Sequence, residues 1–423
     1  MRIFIFSLSF IFSLLITTDA NATIISEAEY PFPIKDPYIS TISSAANVPS
    51  APYEIVKVEI RKDRRQVPLL EDRNPVPLGL FEQKGKNAPL ALIISGTGGT
   101  ALSGNVLLLA SQLYLKGYHA ITLPDPVSWH YVLGVSESAL PGYPLRDATE
   151  YYEFIKKVIS HLKSEKNIQF SSISLVGYSY GGLLSGFLAK QDESEKAFNF
   201  EKVIILNPPL NVKASLMLLD NYYEEYKNVP QERRRYITSE LLGIAVRMQE
   251  SGFKLEAIAE AAKKLQLTPT ECQWLIGESF RQSLGDVIYT SQQVKDLGLL
   301  KSKASSAKKS ERFREARNIG FREFFIRFIA PSLKPNRQTP TRPEMEKMLQ
   351  DSDFHTLLPL IKESKNIFVI TNKDDFLVTP EDIDLLESTL RERFILYPYG
   401  GHMGNLWFPV NKANFERIMT PTY

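Results

Sequence analysis

Two hydrophobic periods divide the chain. Residues Tyr53 to Ile60 alternate at period two, and Pro77 to Phe81 offers a second short run, so together they predict a leading pair of antiparallel strands. From Pro89 the pattern changes to wholly apolar runs separated by helical stretches. Leu90 to Ile94 leads into Ser95-Gly96-Thr97-Gly98-Gly99, Val106 to Lys116 reads as a helix stopped at Gly117, and Ala120 to Leu123 is the next strand. Tyr151, Phe154, Ile155, Val158, Ile159 and Leu162 then recur at helical spacing, with Asp147 and Glu150 expected to form a capping box at the start. Ile173 to Val176, a helix over Gly182 to Ala189, and the strand Val203 to Leu206 follow. Continuously apolar strands alternating with helices predict an α/β class: a mostly parallel central sheet covered by helices on both faces.

From about 212 to 364 the alternation breaks and the chain reads as mainly helical. Thr268-Pro269-Thr270-Glu271 carries a capping box with proline at the first helical position, and Phe321, Phe324, Phe325, Phe328 and Ile329 stripe another helix. The α/β pattern resumes with Ile367 to Ile370, a helix opened by Thr379-Pro380-Glu381-Asp382, and Phe394 to Tyr397. The expected division is core over 53–211, a helical cap insertion over 212–364, expected to lie over the carboxyl ends of the strands, and core again over 365–423. Ahead of it, 23–52 is dense in Pro, Ser and Ala without periodicity and reads as an extended arm. The first 22 residues combine Arg2, an apolar run from Ile3 to Ile16 and Ala20-Asn21-Ala22, the pattern of a secretory signal peptide cleaved after Ala22. The run is short for a bilayer span, and no cysteine follows Ala22 directly, against a lipid anchor. The expectation is a periplasmic or secreted protein.

Bulk composition narrows the function classes. A net charge of +2 and the lack of any recognition motif give no pull toward nucleic acid. Cys272 is the only cysteine, so an internal disulfide is excluded, and five scattered histidines without HExxH or a Cys/His cluster argue against a metal site.

The candidate chemistry lies at Gly177-Tyr178-Ser179-Tyr180-Gly181, which falls between an apolar strand and a helix. That order of strand, sharp turn, serine and helix forces the serine onto a strained bend at the mouth of the sheet. Gly177 and Gly181 lack the side chains that would clash there. A serine hydroxyl needs a base to take its proton and an acid to orient the base. The elbow, the glycine turn after the earlier strand, the helical insertion and the late Asp and His together resemble the α/β-hydrolase superfamily over about 53–211 and 365–420. In that family the chain order is Ser, then acid, then His, which the resemblance places on Ser179, Asp375 and His402, with Asp374 as the alternative acid. It implies an oxyanion hole from the backbone N–H groups of Thr97 and Tyr180. Ser95 stands where the family often has His, which leaves the first donor open between Thr97 and Gly98, within a turn shaped by Gly96 and Gly98. No cofactor is implied.

Other histidines fit the base's place worse, although His130, in the loop after the 120–123 strand, is a candidate substrate contact. The phenylalanine stripe reads either as the cap's internal packing or as a lid underside facing acyl chains. The Lys/Arg-rich stretch Lys301 to Arg322 reads as a solvated loop and helix, or as a contact with anionic lipid or envelope polymer. Expected partners are therefore a small-molecule or lipid-like ester, and an envelope or membrane surface at the cap. The functional expectation is an exported serine hydrolase acting on a carboxylic ester. The alternatives are a peptidase or amidase using the same residues, and a non-catalytic envelope-binding protein that keeps the fold as scaffold.

Overall fold

Nine strands form one sheet in the computed structural model, which describes residues 21–67, 70, 73–251, 261 and 264–420. In chain order they are β1 (Thr23–Ile24), β2 (Glu54–Val58), β3 (Val76–Phe81), β4 (Ala88–Ile94), β5 (His119–Leu123), β6 (Phe170–Tyr178), β7 (Val203–Leu206), β8 (Ile367–Asn372) and β9 (Phe394–Tyr397). Their spatial order is β1-β9-β8-β7-β6-β4-β5-β3-β2. β2 and β3 form the expected antiparallel pair, and β3 runs antiparallel to β5; every other pairing is parallel. Nearly all of the proposed signal peptide, residues 1–20, lies outside the described residues.

The wholly apolar strands are explained by two cores. Along β4, Leu90, Leu92 and Ile94 point into one hydrophobic cluster and Ala91 and Ile93 into another. Helices Pro144–Ser164 and Tyr180–Glu195 cover the first face; Gly104–Leu115 and Pro409–Met419 cover the second. The striped face of 144–164 is buried as its spacing predicts. Its start is not as predicted. The helix begins at Pro144, and Asp147 and Glu150 form no capping box. Asp147 is instead buried, accepting from the Gly142 N–H at 2.7 Å, while Glu150 turns back to bond Ser136, Glu137 and Ser138.

Between β7 and β8 the chain is helical, including Val212–Glu224, Gln231–Ser251 and Pro269–Val294. The capping box at Thr268 and Glu271 forms as its sequence signature predicts. Within the basic stretch, Arg312 is fully buried and donates to the carbonyls of Ser302 and Gln292, so this cation serves packing.

The segment 23–52 departs from a plain extended arm. β1 adds to the sheet edge beside β9, and Tyr30 and Phe32 are buried among Tyr397 and Phe408. A helix, Pro37–Ser43, follows, capped by the Asp36 carboxylate, which accepts from the N–H groups of Tyr38 and Ile39. Asp as N-cap with Pro at the first helical position is a sound helix start, concealed in the sequence by the surrounding prolines.

Candidate active site

The elbow is a strained turn held on all sides. Ser179 has φ 55° and ψ −128°, a conformation that costs a non-glycine residue about 1 to 3 kcal/mol. Its N–H donates to the Leu206 carbonyl on β7 at 2.8 Å, and its carbonyl accepts from Gly182 and Leu183 at the start of the next helix. The strand and helix meet so closely that a Cβ on Gly177 would lie 2.1 Å from the Gly181 carbonyl oxygen, and one on Gly181 would lie 2.2 Å from that of Ser95. Any larger residue would displace the turn.

Three side chains converge from the ends of β6, β8 and β9. Ser179 Oγ is 2.9 Å from His402 Nε2, and His402 Nδ1 is 2.9 Å from Asp375 Oδ2. An ionised carboxylate only accepts, so Nδ1 carries the proton toward Asp375 and Nε2 is left to accept from the serine hydroxyl. All three are buried. Asp375 also accepts from Asn207 Nδ2 at 2.8 Å and from the Leu377 N–H at 3.0 Å, which fixes its plane. Asp374 does different work: its carboxylate accepts from the N–H groups of Gly400 and Gly401, shaping the turn that carries His402. Burial pushes its pKa up to about 6, with those two N–H donors opposing.

The histidine turn leans on the N-terminal segment. The His402 N–H donates to Thr41 Oγ1 at 2.8 Å, Thr41 Oγ1 donates to the Pro37 carbonyl at 2.7 Å, and Ser40 Oγ donates to the Gly400 carbonyl at 2.8 Å. A Cβ on Gly401, where φ is 52°, would lie 2.0 Å from the Pro37 oxygen, so turn and helix are fitted to one another. Phe376 packs beside the imidazole with ring centroids 5.4 Å apart, and Tyr38 stacks on Phe376. Thr41, Asn207 and Tyr38 escaped the sequence reading because no motif spacing links them to the elbow. The Asp36-Pro37 helix start was the one available signal for the first and last.

The glycine turn after β4 faces the serine. Gly98 commits its N–H to the Val127 carbonyl at 3.0 Å, whereas the N–H groups of Thr97 and Tyr180 make no hydrogen bond among the described residues. Thr97 and Tyr180 line one cavity together with Ser179, so this arrangement favours Thr97 over Gly98 as the first donor. Ser95 Oγ donates to the Gly99 carbonyl at 2.9 Å, and the Gly99 N–H to that of Gly96 at 2.8 Å, bracing the turn. Gly96 packs against Ser179. The Tyr180 hydroxyl donates to Asp147 Oδ2 at 2.6 Å.

His130 is not brought to the site. It stacks on Trp129, ring centroids 3.6 Å apart, and lines neither cavity beside Ser179; burial, with a smaller contribution from Arg73, lowers its pKa to about 4. The aromatic stack and the low pKa make it a packed, neutral ring. Among the described residues, no group of three or more His, Cys, Asp or Glu side chains could hold a metal ion, and no helix is long and apolar enough to cross a membrane.

Two cavities open beside the serine. A cleft of about 980 Å³ runs between residues 39–48 and the cap, floored by Ser179, His402 and Met403. A pocket of about 70 Å³ lies on the Tyr180 side beneath Phe321, Phe324, Phe325 and Ile329. Four residues of the stripe thus line this pocket, while Phe328 is fully buried and all five pack in the core cluster.

No family model matches the chain, and no curated protein matches its sequence. Among solved structures it is similar to the thioesterase domain from the curacin biosynthetic pathway, with 13% identity over 88% of this chain and 100% of that one at a TM-score of 0.40. It is similar also to an esterase from Pyrococcus furiosus, with 12% identity over 88% and 91% at 0.39, and to the proline iminopeptidase of Mycobacterium smegmatis, with 13% over 86% and 98% at 0.40. Strand order, the crossovers between parallel strands and the elbow, rather than these distant likenesses, establish the architecture. A mostly parallel sheet in which β3 alone runs antiparallel to its neighbours, a serine on the turn after β6 and a helical insertion between β7 and β8 give this chain the α/β-hydrolase fold.

Proposed function

We propose that the protein is a serine hydrolase that cleaves carboxylic esters through Ser179, His402 and Asp375. The observation that carries this reading is the continuous hydrogen-bonded relay of 2.9 Å from serine to imidazole and 2.9 Å from imidazole to carboxylate, on a strained elbow beside two uncommitted N–H groups. Ser179 Oγ attacks the ester carbon while His402 Nε2 takes its proton. The carbonyl oxygen becomes an oxyanion that accepts from the N–H groups of Thr97 and Tyr180, each such donor being worth roughly a hundred- to a thousandfold in rate. Collapse breaks the bond to the alcohol oxygen, which leaves with the proton from His402, and an acyl-enzyme remains. Water, deprotonated by His402, then attacks the acyl carbon and releases the acid and free Ser179. Asp375 holds the imidazole in the required tautomer and stabilises it when protonated.

An ester is favoured over a peptide by the large cleft. Apart from His402, Glu278 is the one ionisable side chain of ordinary charge lining it among the described residues, so it offers no cation for a peptide carboxylate. The signal-like first 22 residues make export part of the same proposal.

The test is intact-mass detection of a fluorophosphonate adduct on the wild type and on Ser179→Ala. One adduct on the wild type and none on the variant is expected, with ester hydrolysis lost in the variant by at least a thousandfold. A variant that turns over esters as fast as the wild type would overturn the assignment.

A further inference from the structure

The two cavities meet at Thr97, Ser179 and Phe280 and otherwise share no lining residue, so Phe280 divides the site into two compartments. The small one, about 70 Å³, is walled by Val127, Val212, Leu216, Phe324, Phe325 and Ile329 and has no charged side chain in its lining. The large one, about 980 Å³, lies between Ile42 and Val48 on one side and Leu241, Leu265 and Trp274 of the cap on the other. His402 lines the large compartment and not the small one; Tyr180 lines the small one and not the large.

The chemistry assigns a sense to this asymmetry. The tetrahedral carbon on Ser179 bears three other substituents. Its oxyanion points to the N–H groups of Thr97 and Tyr180. Its leaving oxygen must receive a proton from His402 Nε2, which places the alcohol in the compartment that His402 lines. The direction left for the acyl chain is the pocket under the phenylalanine stripe. The small pocket has about 70 Å³ against about 980 Å³ for the cleft, so of the two it is the one that suits a short chain, whereas the cleft admits a bulky alcohol. We propose that the acyl group binds beneath the phenylalanine stripe and the leaving group in the arm–cap cleft, making the substrate class esters of short apolar acids with large, mainly apolar alcohols. This rests on the serine-hydrolase reading and adds its direction and size limits.

The experiment varies the two halves of the ester separately. Ethyl, hexyl and cyclododecyl butanoates test the alcohol; butanoate, octanoate and hexadecanoate of one alcohol test the acid, and fluorophosphonate labelling is followed in parallel. The kcat/KM is expected to rise at least tenfold from ethyl to cyclododecyl butanoate and to fall at least tenfold from butanoate to hexadecanoate. Leu216→Ala, at a half-buried wall of the small pocket, should shift the acyl optimum toward octanoate and leave the order of alcohols intact. Ile42→Trp, in the large cleft, should instead cut the cyclododecyl-to-ethyl ratio at least fivefold without moving the acyl optimum. Labelling at Ser179 with long acyl chains and small alcohols preferred, or with the two variants exchanging effects, overturns the direction while the hydrolase reading stands. No labelling and no turnover of any ester overturns both.

Discussion

The turn that carries His402, the proposed base, is held by backbone contacts from outside it, and Thr41, which also lines the large cleft, makes the most direct of them. Its hydroxyl accepts the His402 backbone N–H at 2.8 Å while donating to Pro37, so it ties the imidazole's own peptide to the first helix. Thr41→Val keeps the shape and removes both bonds, leaving a half-buried N–H without a partner at a cost of about 1 to 3 kcal/mol. The imidazole should then drift relative to Ser179, and misplacement of this kind lowers the chemical step by up to about a hundredfold. The expected result is a roughly tenfold or greater fall in kcat with KM little changed, and recovery in Thr41→Ser, which restores the hydroxyl; steady-state kinetics of the three proteins check it. Equal kcat in valine and wild type would remove Thr41 from the positioning of the base. Ser179, Asp375 and His402 were legible in the sequence because each stands just beyond an apolar strand, where a parallel sheet opens its mouth. Asp374 and Asp375 are told apart only in space: one carboxylate faces the imidazole and its neighbour faces two glycine amides. Thr41 and Asn207 were illegible because they reach the site through tertiary packing.

At the scale of elements, the strands and the elbow helix followed from their periods, and the departures came where local signals competed. The Asp147 and Glu150 spacing imitates a capping box with Asp147 as N-cap, yet the helix starts four residues earlier, at Pro144, and the Asp147 carboxylate accepts from Tyr180 and Gly142 instead. Proline-rich 23–52 imitates an extended arm, yet Tyr30 and Phe32 anchor it and Asp36 starts the helix 37–43, which supplies both the clamp on the histidine turn and a wall of the large cleft. That helix has only seven residues, too few to persist without its cap and its contacts. Asp36→Ala is therefore expected to cost about 1 kcal/mol of stability, the usual loss on removing an N-cap carboxylate. The activity loss should exceed what that change in folded fraction explains, since the frayed helix carries Thr41 and Ser40. Urea unfolding beside kcat on the same preparation checks this; an activity change no larger than the change in folded fraction would show that the helix serves stability alone.

The molecule as a whole carries buried acid beside the serine turn, and this sets how its stability responds to pH. Asp147 is fully enclosed, and burial, opposed by Arg146 and by the donors Tyr180 and Gly142, raises its pKa from 3.8 to about 7. The folded state thus keeps a proton that the unfolded chain releases near 3.8. Protons bound exceed those in the unfolded state across that window, so the linkage slope is negative: the contribution is full below pH 3.8 and is lost as pH rises to about 7, on the order of a few kcal/mol in all. Asp147→Asn keeps an oxygen for the Tyr180 hydroxyl and the Gly142 N–H and cannot ionise. It should be less stable than wild type near pH 4.5, where its amide N–H groups lack acceptors, and the gap should close or reverse by pH 8. Asp374, raised to about 6, and Asp125, pushed well above its ordinary value by burial, tilt both proteins in the same sense and largely cancel in the difference. Urea midpoints of the two proteins at pH 4.5, 6 and 8 measure that difference directly, and a gap that stayed constant across the range would mean that Asp147 is charged in the fold.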